Sequence, residues 1–216
     1  MTYNLAIYTV QTTNNKKETK MKRRVITFDE NYHEHPTMAD RDKGYGMDTK
    51  KLQTIESTLD YALERHSKVM GFRVDLSMDQ STDNGIYRKT MSEVVRHLQN
   101  HKLSPLYVGV REVNPSTGNT HYHNIILVDA SRSQNPYGHL SYINEKWQKN
   151  CEDAGCRGTV DYCDKSENMT NPHTEYIMHR GNKEEYDEFF RRSTYLAKID
   201  TKPNDSQREL FSSRLD

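Results

Sequence analysis

LYVGVREVNPSTGNTHYHNIILVD, residues 106–129, reads as two strands joined by a turn. LYVGVREV (106–113) and HYHNIILVD (121–129) are rich in β-branched and aromatic residues. The connector NPSTGNT carries Pro115 and Gly118, which punctuate a hairpin. Closed symmetrically about that connector, the hairpin sets Val113 opposite Thr120, Glu112 opposite His121 and Val110 opposite His123. Directly opposed residues share a sheet face, with Cβ atoms about 5 Å apart. Alternation then puts His121 and His123 on one face and Tyr122 and Asn124 on the other. Glu112, His121 and His123 therefore converge without any long-range assumption. Two imidazoles and one carboxylate, with coordination positions left open, form a ligand set for a divalent ion that must also hold a substrate. The plain alternative is a polar sheet face bearing surface histidines. The chain has ten histidines, and a second H-x-H pair, His33-Glu34-His35, reads as a polar loop before Pro36.

Outward from the hairpin, the periodicity predicts a helix over 86–101, with Tyr87, Met91, Val94, Val95 and Leu98 on one face, and a strand over 71–78 before it. A helix over 138–153 buries Leu140, Ile143, Trp147 and Cys151, and GTVDYC (158–163) is a short strand. From residue 71 the order is β-α-β-β-α-β. The expected fold is α+β: a ferredoxin-like βαββαβ core with an antiparallel sheet backed by two helices. A helix over 48–67, with Leu52, Ile55, Leu59 and Ala62 in a stripe, precedes this core, and a last helix spans 183–200. Strands at 3–10 and 24–29 make residues 1–47 an N-terminal extension, a hairpin followed by a turn-rich connector. The main domain then covers 48–200 and a tail covers 201–216.

Composition sets the outer limits. Lys+Arg and Asp+Glu both number 31, so the net charge is zero, which counts mildly against nucleic acid as a partner. The mean hydropathy is −1.03, yet the apolar residues are periodic rather than scarce, as in a folded chain. Three cysteines, an odd number, without CxxC spacing or a secretory start point to core thiols in a reducing compartment, hence the cytoplasm. No aliphatic run is long enough to span a bilayer, so no membrane role is expected. The stretch NNKKETKMKRR, 14–24, is basic. It is either a solvated loop or a DNA-binding segment through Lys20, Lys22, Arg23 and Arg24.

KEEYDEFFRRSTYLAKID, 183–200, places Tyr186, Phe189, Phe190, Ser193, Leu196 and Ala197 on one stripe. Tyr195 lies outside it, with Arg191 four residues before and Lys198 three after, on the same helix face. A tyrosine beside two cations is suited to meeting a phosphate. Taken alone, the pattern favours the plainer reading, a surface tyrosine whose neighbours complement the helix C-terminus.

HYHN within an apolar strand, Glu112 on the preceding strand, RVDL at 73–76 and YLAK at 195–198 occur in this order. Together they resemble the HUH endonucleases, most closely the rolling-circle replication initiators of filamentous phages and related prophage elements of the YagK/YfjJ kind. The resemblance covers residues 71–200, with the helix at 48–67 included. It implies nicking and rejoining of single-stranded or hairpin origin DNA through one tyrosine, with Mg2+ or Mn2+, in the cytoplasm of a bacterial host that supplies replication proteins. On this reading Tyr195 is the nucleophile, Lys198 its catalytic partner, and Arg191 a DNA contact. His121, His123 and Glu112 hold the ion, and Asp75 is a fourth ligand, a partner behind the ligands, or a structural residue. Tyr162, Tyr176 and Tyr186 are rival nucleophiles without the lysine three residues on. A non-catalytic single-stranded nucleic-acid-binding module, a metal-dependent phosphoesterase using water, and an HUH transposase or relaxase remain as alternatives.

Overall fold

The computed structural model describes residues 6–7, 24–80, 83–163, 175–199 and 207–215. In chain order the strands and helices are β1 (Ala6–Ile7), β2 (Val25–Thr27), β3 (Asn31–Tyr32), β4 (His35–Pro36), β5 (Met47–Asp48), α1 (Thr49–Arg65), β6 (Lys68–Met78), α2 (Gly85–Asn100), β7 (Leu106–Val113), β8 (Thr120–Asp129), α3 (Tyr137–Asp153), β9 (Gly158–Asp161), β10 (Glu175–His179), α4 (Lys183–Ser193), a 3-10 turn (Thr194–Ala197) and β11 (Leu210–Ser212).

The main sheet runs β10-β6-β8-β7-β11, with β9 also on β6, and every pairing is antiparallel. The outer edge of β6 is thus shared: β10 takes residues 68–72 and β9 takes 75–78. The hairpin register is the one its sequence implies, Glu112 against His121 and Val110 against His123. Strands β10 and β11 have no counterpart in the sequence reading, and β11 falls within residues 201–216.

Alternation along β6 and β8 divides the sheet into two faces. Met70, Phe72, Val74, Leu76 and Met78, with Tyr122, Ile126 and Val128, pack against α2 and α3 through Tyr87, Met91, Val94, Leu140, Ile143 and Trp147. The opposite face buries Val69, Val108, Val110, Ile125 and Leu127 under α1 and α4. The result is three layers, helices on each side of one sheet. No helix among the described residues is long and apolar enough to cross a membrane.

Gly71 seats α4. A methyl group there would lie 2.5 Å from Phe189 Cζ, so the ring rests directly on the glycine backbone. Gly71→Ala is expected to destabilise the domain by about 1–3 kcal/mol, because a packed ring must shift. A fall of several degrees in Tm checks it; an unchanged Tm would mean that α4 is not seated there.

Two sequence expectations are corrected. The last helix does not continue to residue 200: α4 ends at Ser193 and Tyr195 lies in the 3-10 turn. Ser193 Oγ donates to Phe189 O and Thr194 Oγ1 to Arg191 O, and such side-chain bonds to the previous turn compete with regular helix. Beyond the turn the chain is extended, with Lys198 bridged to Met47. Nor is His33-Glu34-His35 a free loop. β3 and β4 form a ribbon around it, and the His35 ring packs on Tyr186 and Phe190 with Nδ1 bonded to Asp187.

Candidate active site

Along the α1/α4 face, the apolar surface stops abruptly. On β6 it gives way after Gly71 to Arg73, Asp75 and Ser77; on β8, moving toward its start, Ile125 gives way to His123 and His121; on β7, Val110 gives way to Glu112. Because β6 pairs with β8, Asp75 lies opposite His123 and Ser77 opposite His121. Six polar side chains therefore gather at one end of one face, beyond the cover of α4.

Their contacts are specific. Arg73 grips both oxygens of Asp75, Nε to Oδ1 at 3.1 Å and Nη2 to Oδ2 at 2.6 Å. Asp75 Oδ2 also lies 2.6 Å from His123 Nδ1, and Glu112 Oε2 lies 3.3 Å from His123 Nε2. Ser77 Oγ stands 2.9 Å from His121 Nδ1. The two imidazoles are nearly parallel, 6.5 Å apart. Tyr195, half-buried, meets His123 edge-on with centroids 5.1 Å apart. The Arg73 guanidinium covers the Tyr195 ring at 3.9 Å, and Lys198 Nζ stands 5.6 Å from its centre and 3.7 Å from that of Tyr45.

Burial opposes ionisation of Asp75, but the hydrogen bond from His123 and the charge of Arg73 outweigh it and hold its carboxyl at about 2. Its ordinary value is 3.8, so the group stabilises the fold above pH 4 and loses that contribution as pH falls toward 2. Asp75→Asn is therefore expected to cost about 2 kcal/mol at neutral pH, and only a small fraction of that near pH 2. Urea unfolding of both proteins at the two pH values checks it; a pH-independent difference would contradict it. Burial, and then the neighbouring His123, lower the pKa of His121, which favours the neutral imidazole that a metal requires. Burial and the Asp75 charge raise the Cys163 thiol, so it is no thiolate nucleophile at neutral pH.

Among the described residues, no three His, Cys, Asp or Glu side chains stand grouped as a metal site. The donor chemistry nevertheless fits a divalent ion. Asp75 and Ser77 occupy the Nδ1 atoms of the two histidines, the hydrogen-bonding pattern that fixes ligand tautomers and leaves Nε2 to coordinate. Glu112 adds a carboxylate beside one of them.

Other sequence candidates lie elsewhere. Arg191 is exposed, and the cation over Tyr195 is Arg73 instead, since the break after Ser193 ends the helical spacing that would join Arg191 to Tyr195. Arg24 pairs with Glu209, which also contacts the buried Lys51. Lys20, Lys22 and Arg23 lie outside the described residues. Tyr176 and Tyr186 are buried, the latter donating to Asp60. The sequence reading missed Arg73, Ser77 and Tyr45. The alternation R-V-D-L-S signals the first two, once its strand is known to face HYH.

An α+β domain thus holds a tyrosine, two histidines and three charged side chains at one end of its sheet. The family model of the YagK/YfjJ C-terminal domain matches residues 27–213, and the chain belongs to that family. The match takes in the β3–β4 ribbon, β5 and the last strand. No curated protein and no solved structure matches the chain.

Proposed function

We propose that this domain is a single-tyrosine endonuclease of the HUH type that nicks and rejoins single-stranded DNA. The observation that carries this reading is the edge-on contact of Tyr195 with His123, on the sheet face that also bears His121 and Glu112. Candidate nucleophile and candidate ligands come from segments more than 70 residues apart in sequence and meet at one point. The strand order β9-β6-β8-β7 agrees with a ferredoxin-like core, the scaffold expected for such an enzyme.

In the proposed reaction, Tyr195 Oη attacks the scissile phosphorus in line. The bond from phosphorus to the 3′ oxygen breaks, and that oxygen leaves as a 3′-hydroxyl after gaining a proton. The 5′ phosphate remains on the enzyme as a phosphotyrosine. A divalent ion held by His121, His123 and Glu112, Mg2+ or Mn2+, would polarise the phosphate and neutralise developing charge. Arg73 holds the Tyr195 ring in place from one side, and its charge, with that of Lys198, would neutralise charge developing on the phosphate during attack. Rejoining reverses the steps: a 3′-hydroxyl attacks the phosphotyrosine, restores the phosphodiester and frees the tyrosine, so no ATP is consumed. Within this chemistry, the resemblance to filamentous-phage and prophage proteins favours a replication initiator acting at an origin in a bacterial cytoplasm over a transposase or relaxase.

Incubation with single-stranded origin DNA and Mn2+, followed by denaturing electrophoresis, tests the reading. A covalent protein–DNA band is expected. Retention of DNA without cleavage would instead identify a binding module, and cleavage without an adduct a water-using phosphoesterase. Lys198→Ala is expected to slow adduct formation by up to about 10²-fold without abolishing it, since it removes one stabilising charge and no reacting atom.

A further inference from the structure

At the other end of β7 lies a cleft of about 640 Å3. It is formed by the C-terminal turns of α1 and α2, the segment 102–107 and residues 212–214. Leu106 on its wall and Glu112 in the candidate active site are six residues apart on one strand, roughly 20 Å. The cleft is therefore a separate place on the molecule, and its volume is that of a small-ligand pocket.

Its lining is one-sided in charge. Arg65, Lys102 and Arg214 contribute to it with His66, and none of its fourteen lining residues is Asp or Glu. In a chain of zero net charge, such a concave, carboxylate-free surface concentrates positive potential. Asp129, a carboxylate near the cleft, is engaged by His66 at 3.7 Å and by Arg132 at 3.5 Å. Tyr61 and Tyr107 add aromatic surface, and Arg65 donates to the Tyr61 hydroxyl at 3.0 Å.

The backbone supplies an independent observation. Lys102 and Ser104 both adopt left-handed conformations, φ 59 and 48. Leu103 N bonds to Leu98 O and Lys102 N to Gln99 O, closing α2 in a turn whose left-handed position glycine fills without strain. A lysine holds that place here, and Lys102 and Ser104 both line the cleft. Strained non-glycine backbone gathers at ligand sites.

We propose that this cleft binds a nucleotide, with its phosphate on Arg65, Lys102 and Arg214 and its base against Tyr61 or Tyr107. Phosphate-tracking cations beside aromatic faces are the means by which proteins hold single strands without reading sequence. The nucleotide is either one unit of a strand or a free nucleoside polyphosphate, since both offer the same groups. The assignment does not depend on the chemistry of Tyr195.

The test uses the full chain and two photoreactive probes, an oligothymidylate and an ATP analogue, with crosslinks mapped by mass spectrometry. Crosslinking to Tyr61 or Tyr107 is expected with at least one probe. It should fall about tenfold in Lys102→Gln combined with Arg214→Gln, both exposed residues, and stay unchanged in Tyr195→Phe. If the oligonucleotide is the ligand, the double variant should also lower the slope of affinity against salt by about 1.4, two phosphate contacts on a single strand. A crosslink with the oligonucleotide alone identifies strand binding, and one with the ATP analogue alone a free nucleotide. No crosslink at either tyrosine, or a yield indifferent to the double substitution, would overturn the proposal.

Discussion

Tyr195→Phe is expected to abolish both the nick and the covalent adduct, a loss beyond the limit of measurement rather than a reduction. The substitution removes one hydroxyl from a half-buried side chain in the 3-10 turn, outside the apolar cluster under α4, so little stability is at stake. The ring remains, with its contacts to His123 and Arg73, and the polar cluster keeps its shape. No other group takes the role cheaply: Tyr186 is buried and bonded to Asp60, and Tyr176 is buried beneath α4. Among the described residues, Tyr45 shares Lys198 with Tyr195 and is a rival the fold brings near. Gel-based cleavage of an origin oligonucleotide, with a binding assay alongside, checks the expectation. Binding should survive and cleavage should not.

His121→Ala is the second large effect, a fall in cleavage of about 10³-fold or more with the fold intact. His121 is half-buried and its described partner is the Ser77 hydroxyl, so truncation strands no charge. His123→Ala is a less clean experiment. His123 is buried and lies between Asp75 at 2.6 Å and Glu112 at 3.3 Å, so its removal leaves two carboxylates short of a partner and destabilises the domain as well. Glu112→Ala is expected to weaken metal affinity and leave residual activity at high Mn2+. Cleavage rates across a Mn2+ titration, with Tm for each variant, separate loss of chemistry from loss of fold. Full activity of His121→Ala in EDTA-treated buffer would remove metal from the account.

The hairpin was readable because its two strands are adjacent in sequence and their turn fixes the register, so Glu112 and the histidines follow from local geometry alone. The main helices were readable from their apolar stripes; the stripe on α4 in particular is buried as its spacing implies. Strands β10 and β11 are short edge strands of five and three residues, and their pairing comes from partners about a hundred residues away. Nothing local marks them. Arg73 was hidden for a related reason. Its place over Tyr195 depends on the 3-10 turn that follows Ser193 and on the bridge from Lys198 to Met47, a long-range outcome. The helix end was missed because apolar spacing continues through Leu196 and Ala197, while the stop comes from the hydroxyls of Ser193 and Thr194.

The measurement that bears most directly on the central claim is mass spectrometry of the peptide trapped on a suicide oligonucleotide, whose cleaved fragment cannot return to attack. The account predicts a 5′-phosphodeoxynucleotide attached to Tyr195, and no adduct from Tyr195→Phe. An adduct on Tyr45, Tyr162 or another tyrosine, or nicking by Tyr195→Phe without any adduct, would contradict it.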